Sequence, residues 1–147
     1  GHAVRLPPMS GFEQVLADYR TTGLSPGAHP ISFLREELDR RGVLSARILI
    51  EQAAGERVRV GGLVICRQRP GTARGVMFIT LEDETGFANF VVMPDLSEPL
   101  RNVLRMPLLV LDGVVEREGD VVNVLVRGAE GLDLAGRRIR GQSRDFR

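Results

Sequence analysis

The spacing of apolar residues changes near residue 55. Before it, they recur at helical intervals. Phe12, Val15, Leu16 and Tyr19 share one face of a first predicted helix. Ser10 stands at its start with Glu13 in capping-box spacing, and Gly23 ends it. Pro26-Gly27 and Pro30 punctuate a turn over residues 24–30. Ile31, Leu34 and Leu38 then predict a second helix over 30–41, closed by Gly42. A short third helical segment is expected at 45–52.

Beyond residue 55 the period becomes two. Residues 57–69 alternate as one long strand, and Gly61-Gly62 in its middle predicts a bulge or sharp bend. Residues 70–75 read as a loop. Strands follow at 76–83 and 87–93, joined by a tight turn at Glu84-Thr85-Gly86. Pro94 opens a short helix or helical loop over 94–104, with Leu96, Leu100, Val103 and Leu104 as its apolar side. Two further strands, 107–117 and 121–127, flank a hairpin turn at Glu118-Gly119-Asp120. Residues 136–147 are polar and Arg-rich, and are expected to be disordered or to depend on a partner.

Strand, strand, strand, helix, strand, strand is the element order of a five-stranded OB-fold Greek-key barrel. A long bent first strand suits it, because one strand must serve both halves. An SH3-like barrel is the competing small fold, and the helix between strands three and four argues against it. The organisation expected is a helical connector at 1–54, an OB-fold domain at 55–130 and a partly disordered tail at 131–147. So small a barrel buries a thin core, so the flanking segments are expected to pack on it.

Composition narrows the function. The chain is 43% hydrophobic and 27% charged, as in ordinary globular proteins. No stretch approaches the ~18 apolar residues that a membrane span requires, and no signal-peptide pattern is seen. A cytoplasmic setting without membrane partners is expected. Cys66 is the only cysteine, and His2 and His29 lie far from it, so neither an internal disulfide nor a zinc site is expected. There is no Ser/His/Asp constellation, P-loop or metal-ligand cluster, so no catalytic residues are assigned. Gly1-His2 reads as a cloning scar, and a piece of a longer protein is expected.

All 20 basic residues are arginine, yet the net charge is only +1. Between Arg57 and Leu81 stand five arginines (Arg57, Arg59, Arg67, Arg69, Arg74) and no acid. Arg67, Arg69 and Arg74 flank the loop between strands one and two, where they could grip phosphates and make affinity salt-dependent. Glu82-Asp83-Glu84 interrupt any basic groove and are expected as turn and strand-end residues.

The working face of an OB barrel lies on strands two and three. Alternation puts Met77, Ile79, Leu81, Ala88, Phe90 and Val92 in the core. Phe78, Thr80, Phe87, Asn89 and Val91 then face outward. An exposed Phe78 can stack on a base, and the Asn89 amide can pair with a base edge.

The string RPGTARGVMFITLEDETG (69–86) resembles the OB domain of the bacterial C-family DNA polymerases, the polymerase III α-subunit family. DYRTTGLSPGAHPISFLREEL (18–38) is similar to their helical connector, and SRDFR (143–147) resembles the end of their error-prone translesion paralogue. Anticodon-binding OB domains carry a stacking Phe where Phe78 stands and a base-reading Gln where Asn89 stands. The resemblance implies a damage-inducible polymerase needing a divalent metal such as Mg, with no cofactor in this piece. It implies single-stranded DNA as ligand, and a translesion partner protein of the mutasome and the sliding clamp as further partners. A protein-interaction module is the competing reading, because residues 55–130 carry nine Arg against eleven acids.

Overall fold

The computed structural model describes residues 29–70, 75–133 and 138–139. The expected first helix with its Ser10 cap, Arg74 and the tail from residue 140 lie outside the described residues.

Residues 29–50 form three short helical pieces. His29 Nδ1 accepts from the Ile31 amide at 3.1 Å and starts a 3-10 turn at Pro30–Leu34. Helix α1, Arg35–Arg40, continues it and stops before Gly42, whose φ of 75° suits a residue without Cβ. Ser45 caps α2, Ala46–Leu49, by accepting from the Ile48 amide at 3.2 Å.

Strand β1, Arg57–Gln68, is the spine of the barrel. Its first part, Arg57 to Leu63, pairs with β4, Leu108–Glu118, and its second part, Leu63 to Gln68, pairs with β2, Met77–Asp83. Antiparallel pairing continues from β2 to β3, Gly86–Val92, and from β4 to β5, Val121–Leu132. A parallel pairing of β3 with β5 closes the ring. The result is a closed five-stranded OB barrel, the expected fold.

Two local expectations are corrected. The bulge of β1 falls between Val64 and Cys66 rather than at Gly61-Gly62, which stand just before Leu63, where the strand passes from β4 to β2. Gly62 serves close approach instead: a Cβ there would come within 2.9 Å of the Glu82 carbonyl oxygen. The last strand does not end at residue 127. β5 runs on to Leu132, and a short β6, Arg138–Ile139, pairs with Gly131 and Leu132.

The 94–104 segment splits into helix α3, Pro94–Ser97, and a 3-10 turn at Val103–Arg105. Pro99 lies between them, where a missing amide hydrogen and a ring clash interrupt a helix. Leu100, Val103 and Leu104 from this segment join the barrel core around Phe90, Ile79, Leu81 and Leu111. A second core joins Ile31, Leu34, Leu38 and Val43 to Leu63, Leu108, Val110 and Leu132, so the helical segment packs on the outside of the barrel.

Candidate nucleic-acid interface

Side chains of β2 and β3 separate cleanly into two sets. Met77, Ile79, Leu81, Ala88, Phe90 and Val92 are buried, whereas Phe78 is 38% exposed and Phe87 is 59% exposed. Thr80 lies opposite Asn89, and its hydroxyl donates to Asn89 Oδ1 at 3.0 Å. That bond leaves the Asn89 amide NH2 as a donor facing out from the sheet. Phe78, Thr80 and Asn89 therefore share one surface, with Phe78 opposite Val91.

The arginines are distributed differently. Arg67 pairs in register with Ile79, a core residue, so it points away from the Phe78 surface. Its guanidinium donates to the Leu104 and Met106 carbonyls at 2.8 and 3.0 Å. Burial, with the nearby Arg105 charge, lowers its pKa from the usual arginine value. Arg69 is exposed at the end of β1 and makes no ion pair with a described residue. Arg59 reaches Glu130 at 2.9 Å and Arg57 lies 3.8 Å from Asp112, both on the β4–β5 side. Arg74 lies outside the described residues.

The three acids after Leu81 hold the helical segment on the barrel. Glu82 meets His29 Nε2 at 3.1 Å. Glu84 receives two hydrogen bonds from Arg35, at 2.8 and 3.0 Å. Asp83, with only 1% of its side chain exposed, is the centre. Its Oδ1 accepts from the Thr85 amide, the Thr85 hydroxyl and the Gly86 amide, and its Oδ2 accepts from the Ala46 amide and Arg35. Among the described residues no group of three or more His, Cys, Asp or Glu side chains could hold a metal ion.

No family model matches the chain. It is 50% identical over 123 residues to an error-prone DNA polymerase of Caulobacter vibrioides, covering 83% of this chain and 11% of that protein. It is 48% identical over 144 residues to the error-prone DNA polymerase of Pseudomonas fluorescens (strain Pf0-1), covering 97% of this chain and 14% of that protein. The chain belongs to the error-prone DNA polymerase family. It spans only about an eighth of the length of such relatives, such as 12% of the Anaeromyxobacter dehalogenans protein. Among solved structures it is similar to asparaginyl-tRNA synthetase from Pyrococcus horikoshii, with a TM-score of 0.50 and 21% identity over 62% of this chain and 23% of that one. At that identity the likeness concerns the fold.

In this member of the error-prone polymerase family, the outward surface extends beyond the residues singled out from sequence. Cys66 lies opposite Thr80, Asn123 of β5 lies beside Asn89, and Glu116 of β4 lies opposite Asn123. Cys66, Thr80, Asn89, Asn123 and Glu116 thus form one row across all five strands. Sequence reasoning assigned no role to Asn123, because the β3–β5 closure is parallel and joins residues from distant parts of the chain. Its signal was present: Asn123 is the polar residue in the run Val121-Val122-Asn123-Val124-Leu125.

Proposed function

We propose that this chain is the OB module with which an error-prone translesion polymerase holds single-stranded template DNA. The observation that carries the reading is the pair of exposed rings, Phe78 and Phe87, on either side of the bonded Thr80–Asn89 pair. Exposed aromatics on an OB face stack on bases without regard to sequence. Membership of a polymerase family supports DNA as the ligand, and a cytoplasmic setting is part of the same proposal. Nucleotidyl transfer and its divalent metal belong, in this reading, to the rest of the polymerase.

A labelled oligodeoxynucleotide titrated with the chain at low salt tests the proposal by fluorescence anisotropy. Replacement Phe78→Ala is expected to weaken binding by roughly 5- to 100-fold, the equivalent of ~1–3 kcal/mol per stacked base. Absence of binding at low salt overturns the reading.

A second surface suits the partner proteins. Ile48 and Ile50, at and just beyond the end of α2, are 40% and 52% exposed. We propose this edge, rather than the strand face, for docking the translesion partner protein. An Ile48→Asp/Ile50→Asp chain should lose pull-down of the translesion partner while keeping DNA binding. Unchanged capture excludes this edge.

A further inference from the structure

We propose that the face holds a single strand chiefly by its bases, with Phe87 and Asn123 completing the site. This rests on the DNA-binding reading and narrows it.

The first argument is the layout of the surface. The polar row of Cys66, Thr80, Asn89 and Asn123 crosses the strands at one level. On one side of it lies a row with three apolar side chains, in which Gln68 meets Phe78, Phe78 meets Val91, and Val91 lies beside Leu125. On the other side stands Phe87, opposite Glu82. Phe78 and Glu82 are four positions apart on β2, so the two rings are separated by about 13 Å along the strands. Stacked rings lie far closer than that, so Phe78 and Phe87 hold different bases. Between them, the Asn89 and Asn123 amides face the edge of an intervening base. An amide offers both a donor and an acceptor, and every base edge has a match for at least one of them.

Charge is the second argument. A phosphate-gripping groove requires free cations along its length. Here the guanidinium of Arg67 serves two backbone carbonyls on the opposite side, and Arg57 and Arg59 face carboxylates on the β4–β5 side. The exposed Arg69, just past Gln68, and the exposed Arg127, four positions past Asn123, lie off the polar row. The row itself ends at Glu116, and Phe87 is opposite Glu82. The exposed Glu116 repels phosphate and can accept from the exocyclic amino groups of bases, whereas Glu82 is already held by His29 Nε2 at 3.1 Å. A face of rings and amides complements base faces and base edges better than it does a polyanion.

The experiment compares two labelled oligonucleotides of equal length with the full chain, one of mixed sequence and one abasic with an intact sugar-phosphate backbone. The abasic strand is expected to bind at least tenfold more weakly. Phe87→Ala and Asn123→Ala should each weaken the base-bearing strand at least threefold and leave abasic affinity unchanged. Cys66, the single thiol, lies on the row and reports on its coverage. A saturating base-bearing oligonucleotide should slow its alkylation by a maleimide. Abasic affinity within threefold of the base-bearing strand overturns the inference while leaving DNA binding intact. An alkylation rate unchanged by bound DNA overturns the placement on this face. Failure of both strands to bind at low salt instead overturns the DNA-binding reading itself.

Discussion

Asp83 shows how one side chain can organise a turn, a helix start and an ion pair together. Its carboxylate is buried and accepts five hydrogen bonds, three from its own turn and two from the α1–α2 segment. Removing a buried, paired carboxylate leaves its donors without partners. Asp83→Ala is therefore expected to cost about 3–5 kcal/mol, measured by urea unfolding. Asp83→Asn should cost less, because one carbonyl oxygen still accepts. Neighbouring Glu84 is milder. Burial alone would raise its pKa, but the Arg35 hydrogen bond, a backbone amide and the Arg35 charge together hold it below the ordinary value of 4.5. A depressed carboxylate pKa gives stability that is fully present above the unfolded value and is lost as pH falls through the folded one. Glu84→Gln should thus lower stability at neutral pH by up to ~1 kcal/mol. The deficit should shrink as pH drops below 4.5, read as converging Tm values of the two proteins. The outward positions Phe78 and Asn89 were legible in the sequence because alternation is a local signal. The work of Asp83 was not, since its partners Ala46 and Arg35 lie 37 and 48 positions away.

At the scale of strands, glycines decide where backbones can meet. β4 and β5 slip register between Asp112 and Gly113. A Cβ on Gly113 would sit 2.1 Å from the Leu125 carbonyl oxygen, so β5 must move to admit it. Leu125 lies in the stretch that pairs with β3 and closes the barrel. Gly113→Ala is expected to destabilise the chain by about 2–3 kcal/mol, seen as a lower urea midpoint at unchanged slope. Sequence pattern located the five strands because each contains at least one alternating stretch. It misplaced the β1 bulge because Gly61-Gly62 signals a need for space without saying what fills it, and here a neighbouring strand does. The end of β5 was missed for a related reason. Gly128 and Gly131 resemble turn residues, and burial there is continuous rather than alternating. Glu130 within this stretch is buried and meets Arg59 of β1 at 2.9 Å, a contact between strands that are not sequence neighbours.

For the whole molecule, the decisive feature is that β1, β4 and β5 serve two cores. Leu109 and Leu111 face the barrel interior, while Leu108 and Val110 face Ile31, Leu34 and Leu38 of the helical segment. The barrel therefore does not present an ordinary solvated surface on that side. Removing the helical cover would expose Leu63, Leu108, Val110 and Leu132 to water, while the Asp83 network would lose Arg35 and Ala46. Helical segment and barrel are consequently expected to unfold in one cooperative step. Leu38, fully buried between them, provides the test. Leu38→Ala should cost about 2–5 kcal/mol through lost burial and the cavity left behind. If the two parts are one cooperative unit, the variant melts in a single transition at lower temperature, and far-UV circular dichroism follows the same curve as hydrogen exchange at β4 amides. If the segment were a loosely attached appendage, Leu38→Ala would release it first. Exchange at Val43 and Ala46 would then rise while Leu109 and Leu111 stayed protected, and the single-unit account would fail.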